Sequence, residues 1–340
     1  MSRAADFDTR ALREYLSGRL GPERGRFRLD PVAGGQSNPT YFLDHADRRL
    51  VLRKKPAGAI LPGAHAVERE YRVLKALAPT DVPVPRPVLL CEDDTIIGTP
   101  FYLMERVEGR VFSDCALPGL APAERRDIYL GLADALARLH AVKPGDVGLA
   151  DFGKPGNYFE RQVARWSGQL QESQGAPIPE LTRVAAWLDE NMPPDDGQVT
   201  IAHGDFRLGN MLYHTREPRV IAILDWELST LGHPLADLGF CCMTWRSTPE
   251  EYGGIRGLDL AALGIPTEAE FVARYMSHGV VDAPLRPFHV AFALFRFAVI
   301  FVGIADRARA GTAAAQDAER LEPLAGRFAM RALEVIDAAC

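Results

Sequence analysis

The sequence predicts an α+β fold in two lobes: a small antiparallel sheet with one long helix over 1–104, a hinge at 105–109, and a larger, mainly helical lobe over 110–340. Three observations predict it. Short β-forming runs separated by turn residues crowd the first part of the chain. Long segments with apolar residues three and four apart dominate the rest. Within the second part, the stretch VTIAHGDFRLGNMLYHTREPRVIAILDWE (199–227) reads as two short apolar strands, each ending in polar groups that a core cannot use.

In chain order, residues 6–20 pattern as an amphipathic helix with Leu12, Tyr15, Leu16 and Leu20 on one face. Strands follow at 27–32, 40–44 and 49–54, the last two joined by a tight turn. Val51 and Arg53 share one face of the third strand by the two-residue period. After a flexible link, a helix spans about 64–78. Val67, Tyr71, Leu74 and Ala78 form its apolar face, extended by Val73 and Leu77. Glu70 lies at the border of that face and Glu68 points elsewhere. A Pro-rich connector leads to strands at 88–91 and 101–104 around an acidic turn. Helices are expected at 122–142, 158–174 and 180–191. His140, near the end of the first, suits the helix dipole and receives no chemistry. GHPLADLGF opens an apolar helix, with Asp237 as its cap and a loop anchor. The longest apolar run, 288–305, carries His289 and Arg296, is short for a membrane span and reads as a buried helix.

Composition narrows the function classes. An apolar content of 47% over 340 residues allows one or two sizeable cores. A net charge of −6 gives no support for nucleic-acid binding. The five cysteines show no C-x-x-C spacing, and an odd count argues against a disulfide framework. The amino-terminal stretch is charged and lacks the apolar core of a signal peptide, so a cytoplasmic protein without a membrane partner is expected.

The chemistry lies in the 199–227 stretch. Its first strand delivers His203, Gly204, Asp205 and, five places on, Asn210; its second delivers Asp225, Trp226 and Glu227. Turn propensity explains Asp and Asn singly, but not His-x-Asp, Asn five on and a second strand-end Asp together. Phosphoryl transfer asks for an acceptor that orients a substrate hydroxyl and two oxygen ligands for magnesium. Upstream, the loop Gly34–Asn38, with Gln36 and Ser37, leaves amides exposed and reads either as a phosphate cradle or as an ordinary hairpin loop. The strand running into ERVEGR reads either as an edge strand and turn or as a hinge where the backbone of Glu105 and Val107 meets an adenine edge. Glu70 is the acid expected to pair with Arg53; Lys54 and Lys55 read as a solvated basic strand end.

H-x-D-x-x-x-x-N followed by I-L-D-W-E resembles the catalytic and metal segments of the aminoglycoside phosphotransferase and choline kinase-like family, relatives of the protein kinases. The runs GGQSNPTY, VLRKKP and REYRVLKAL look closest to the phosphotransferase domain associated with acyl-CoA dehydrogenases, which also occurs free-standing in bacteria. The resemblance spans about 27–311. It implies a two-lobed protein-kinase-like fold with ATP and Mg2+ as cofactors. Asp205 then aims the acceptor hydroxyl, Arg207 assists the transferred phosphate or braces the loop, and Asn210 and Asp225 hold magnesium. Gln36, Ser37 and Asn38 cover the nucleotide phosphates. Arg53 stands where kinases place a lysine, a departure that is usual in this branch. His203 is expected to brace the loop through backbone carbonyls, and Glu227 either contacts metal-bound water or caps a helix.

For the acceptor, a polycationic aminoglycoside needs clustered carboxylates, which the last third of the chain does not offer near its apolar helix. Arg296, Arg307 and Arg309 suit an apolar acceptor with an anionic group, though Arg296 pairing with an internal Asp is the favoured reading. The expected acceptor is a small-molecule hydroxyl, as in a hydroxyacyl-CoA or hydroxy acid. The alternatives are an aminoglycoside or amino-alcohol kinase, or a non-catalytic nucleotide-binding module.

Overall fold

β2 (Thr40–His45) and β3 (Arg48–Lys54) form the centre of a five-stranded sheet. In this computed structural model, which describes residues 6–22, 27–32, 38–56, 66–154, 156–309 and 315–338, that sheet is antiparallel throughout. β1 (Arg28–Pro31), β4 (Pro87–Cys91) and β5 (Phe101–Glu105) complete it in the order β1-β2-β3-β5-β4. Alternation sorts the side chains. Leu50 and Leu52 join Tyr41, Leu43, Phe101 and Leu103 in a core closed by Leu12 and Leu16 of α1 (Thr9–Leu20). Val51 and Arg53 take the other face, opposite Met104 and Tyr102 of β5. There α2 (Val67–Leu77) packs against β4 and β5, burying Val67, Val73, Leu74 and Leu77. Glu70 falls on the same helical stripe and is 1% exposed, deeper than the border position expected.

Lys54 corrects the sequence reading. It points to the α1 side and is 1% exposed, its Nζ 2.9 Å from Asp6 Oδ2 and facing the Phe7 ring. Only Lys55 is partly solvated, paired with Glu68.

The second region is helical: α3 (Pro122–Ala141), α4 (Tyr158–Gln171), α5 (Pro179–Glu190), α6 (Pro234–Arg246), α7 (Leu260–Leu263), α8 (Glu268–Met276), α9 (Pro287–Arg309) and α10 (Ala315–Asp337). Three of these, α7, α8 and α10, have no counterpart in the sequence reading. β6 (Thr200–Ala202) pairs antiparallel with β9 (Thr230–Gly232), and β7 (Met211–Tyr213) pairs with β8 (Val220–Ile223). α9 is the core helix, packed by α4, α5, α6 and α10. By length and composition it is the one helix among the described residues able to cross a membrane, but 89% of its apolar window is buried inside the fold. Among the described residues Arg296 on α9 pairs with no Asp. It is 8% exposed and lies over the rings of Trp166 and Phe240, at 5.7 and 5.9 Å, so aromatic faces stand in for a carboxylate.

His289, also on α9, is 3% exposed, and burial pushes its pKa down to about 3. The unfolded chain therefore binds a proton that the folded chain refuses, and stability falls as pH drops below about 6.5. We expect a loss of about 2 kcal/mol from this group by pH 5. Urea unfolding from pH 7 to 5 checks it: His289→Phe should show a flatter profile.

The described residues group into two compact units. The first holds Met1–Arg110, Leu212–Arg216 and Val220–Leu228; the second holds Val111–Met211, Glu217–Arg219 and Ser229–Cys340. Asp225 and Glu227 therefore belong with the sheet, and Asp205 and Asn210 with the helices.

Candidate active site

In the sheet unit, Arg53 is the hub. Its Nε lies 3.0 Å from Glu70 Oε2, and its Nη2 lies 2.7 Å from Asp225 Oδ1 and 3.6 Å from Glu227 Oε2. Glu70 is held in turn by Tyr102 Oη, which donates to Oε2 at 3.0 Å, and by Asn38 Nδ2, which donates to Oε1 at 2.7 Å. The expected Arg53–Glu70 pair is present; the contacts to Asp225 and Glu227 and the Tyr102 support were not read from the sequence. The strand register carried the signal for Tyr102, since it stands directly across from Arg53. Burial works against the Arg53 cation, but the surrounding carboxylates hold its pKa above the ordinary value. Burial pushes the Glu70 carboxyl up to about 7, with Arg53 opposing.

Asn38 was expected to face phosphate. Its side chain is instead buried against Glu70. Gln36 and Ser37 lie outside the described residues. Asp225 follows β8 with φ +65°, a left-handed conformation that Asp and Asn tolerate better than most residues. Its neighbour Trp226 is buried and donates Nε1–H to Ile223 O at 3.0 Å, which fixes the turn. At the proposed hinge, the Glu105 N–H is spent on Arg86 O at 2.8 Å, so Glu105 offers an adenine its carbonyl alone. The Val107 N–H makes no hydrogen bond among the described residues.

In the helical unit, β6 runs into the loop 203–210. Phe206 and Leu208 are buried and pin the loop, while Asp205 and Arg207 between them stay partly exposed. Asn210 Nδ2 donates to both the backbone O and the Oδ2 of Asp205, at 2.8 and 2.7 Å. Arg207 Nε lies 3.3 Å from each Asp205 carboxylate oxygen, and its guanidinium sits over the Tyr252 ring. His203 braces the loop by accepting the Asp205 N–H on Nδ1 at 3.2 Å.

Asp237 anchors the same loop. Its carboxylate accepts the N–H of His203 at 2.6 Å and of Gly204 at 2.9 Å. Gly204 has φ +83°, which suits glycine at this turn. Asp237 is no helix cap: His233 caps α6. His140, given no role from sequence, touches Asp237 at 3.3 Å and Tyr275 Oη at 2.6 Å. Burial opposes the charge on Asp237, but His140, His203 and the Gly204 amide hold its carboxyl below the usual range. Sequence spacing could not place His140 here, because its partners lie 97 and 135 residues away.

Each unit, taken by itself, offers one oxygen that could serve a cation. Asn210 spends its amide hydrogens on Asp205, which leaves Oδ1 for a cation. Asp225 commits Oδ1 to Arg53 and keeps Oδ2. Among the described residues no group of three His, Cys, Asp or Glu side chains is arranged to hold a metal. Asn210 Oδ1 and Asp225 Oδ2 are each an oxygen of the kind that Mg2+ takes along with phosphates and water. Beside Arg207, Leu208 and Gly209 is a small cleft of about 50 Å³ walled by Phe240, Met243, Tyr252, Phe297 and Phe328. None of its lining residues is acidic.

Comparison with known proteins defines the class. Residues 28–272 match the phosphotransferase enzyme family, APH. A crystal structure from Ralstonia eutropha JMP134, assigned provisionally to the aminoglycoside phosphotransferases, is 43% identical, with a TM-score of 0.87 over 98% of this chain and 99% of that one. The chain belongs to the phosphotransferase enzyme family and has its kinase-like fold. Acyl-CoA dehydrogenase family member 10 of mouse is 44% identical over 91% of this chain and 29% of its own length. Family member 11 of human is 39% identical over 94% of this chain and 42% of its own. The chain thus spans less than half of these curated relatives. The fold extends to spectinomycin phosphotransferase, solved with ADP and spectinomycin, at 12% identity and a TM-score of 0.62 over 98% of this chain and 99% of that one.

Proposed function

We propose that this phosphotransferase passes the γ-phosphoryl group of ATP to a hydroxyl of a small molecule. The Asp205 loop carries the reading: Asn210 and Arg207 hold the carboxylate, while His203 and Asp237 fix the backbone beneath it. Asp205 accepts the acceptor hydroxyl's hydrogen bond, directs the oxygen at the γ-phosphorus and takes the proton as the new P–O bond forms and ADP departs. Arg207 steadies the transferred group. Asn210 Oδ1 and the Asp225 carboxylate hold Mg2+, which when bound neutralises phosphate oxygens. Arg53, oriented by Glu70, grips the α and β phosphates. The Val107 N–H and the Glu105 carbonyl take the adenine edge.

The aromatic cleft beside Arg207 supports an acceptor with an apolar chain and an anionic group. A polycation would find no counter-charge among its lining residues. A hydroxyacyl compound, with a CoA thioester as the leading candidate, fits this wall and the kinship with acyl-CoA dehydrogenase relatives. Magnesium-dependent ADP release should be measured with 4-hydroxyacyl-CoAs, free 4-hydroxy acids, choline and kanamycin. Turnover is expected with the hydroxyacyl compounds. Turnover with kanamycin alone rejects the acceptor assignment. Nucleotide binding without ADP release from any of them favours a non-catalytic module.

A further inference from the structure

We infer that the helical unit carries a second small-molecule site, one that takes an organic anion with an apolar body, either a carboxylate or a phosphate monoester. The site is a cavity of about 490 Å³, large enough for such a ligand. It contacts Val199 and Gly232, at the Thr200–Gly232 end of the β6–β9 pair. Asp205 follows the opposite end of β6, and no residue of the loop 203–210 lines the cavity.

The polar groups favour an anion. Arg286 and Lys154 line the cavity, and neither has a carboxylate partner among the described residues. Three helices start at its wall: α4 behind Asn157, α6 behind His233 and α9 behind Arg286. Asn157 and His233 already cap the first amides of α4 and α6, so these two ends contribute field rather than donors.

The donor is His289. Its Nδ1 accepts the Arg286 N–H at 2.9 Å, which places the ring proton on Nε2. Nε2 makes no hydrogen bond among the described residues, and His289, 3% exposed, lines the cavity. The ring lies nearly parallel to His233, centroids 6.2 Å apart, and His233 spends its own Nε2 on Asp196 at 3.2 Å. Asp196 is thereby committed, and Asp195 accepts the Gly197 N–H. Tyr158, Phe159, Leu231 and Leu235 give the wall an apolar side, while Asn157, Gln198 and Arg161, which donates to Gly156 O, add polar groups. Two exposed cations without carboxylate partners among the described residues and one buried N–H donor, set beside an apolar side of the wall, describe a carboxylate or phosphate head on a hydrophobic body.

Calorimetric titration of the intact chain with phenyl phosphate, 3-phenylpropionate and benzyl alcohol tests this, alongside [15N]histidine NMR. At least one anion is expected to bind saturably and to shift the His289 Nε2–H resonance; the tighter of the two names the head group. Arg286→Ala/Lys154→Ala, at exposed positions, should weaken binding roughly tenfold or more. His289→Phe keeps the ring and should weaken it several-fold. Asp225→Asn should leave the affinity unchanged. The inference is overturned if neither anion binds, if benzyl alcohol binds equally well, if the double variant binds normally, or if Asp225→Asn abolishes binding.

Discussion

Asp205→Asn is expected to lower kcat roughly 10²–10⁴-fold, the range that a positioned proton acceptor supplies, while nucleotide affinity stays within about twofold of wild type. The substitution is nearly isosteric, so Phe206, Leu208 and the Asp237 clamp should keep the loop in place. What is lost is charge and one acceptor. Asn210 Nδ2 and Arg207 Nε both address this carboxylate, and an amide can answer only one of them through its oxygen. ADP release with the acceptor identified from the panel, set beside ATP titration, separates the two effects. Retained turnover would overturn the role given to Asp205.

Asp225→Asn should be as damaging by a different route, with kcat falling about a thousandfold and magnesium no longer tightening nucleotide binding. Asn accepts the φ of +65° at this position, so the turn onto Trp226 survives and the loss reports on charge rather than on folding. Titrating ADP with and without magnesium reads the coupling directly. An unchanged magnesium effect would remove Asp225 from the metal site. Glu227→Gln, which changes the longer of the two Arg53 contacts from this turn, should cost less than tenfold.

Much of this was legible in the sequence because the motifs are local. The sheet strands, the long helices other than α10 and the Asp205–Asn210 spacing each follow from a period or a fixed offset. The Arg53–Glu70 pair also emerged, since strand and helix periodicity each nominate one member. What escaped was long-range or compensated. His140 finds its partners only through folding. Lys54 looked solvated because its counter-ion, Asp6, stands forty-eight residues earlier. Arg296 looked in need of a carboxylate because sequence does not show which rings will lie beneath it. The helices α7 and α8 are short, and α8 starts from a local capping box at Thr267 and Glu270 rather than from a strong apolar stripe.

One strand, β3, points a cation to each side of its sheet. Arg53 meets Glu70 and Asp225 on one face, while Lys54 is latched to Asp6, which also takes the Tyr41 hydroxyl at 2.9 Å. Asp6→Ala, which keeps the Phe7 ring, would leave that ammonium buried without its counter-charge, a penalty of about 3–5 kcal/mol. Asp6 and Phe7, ahead of α1, therefore act as an electrostatic plug for the strand that presents Arg53, and tags or truncations made there are felt one peptide bond from that guanidinium.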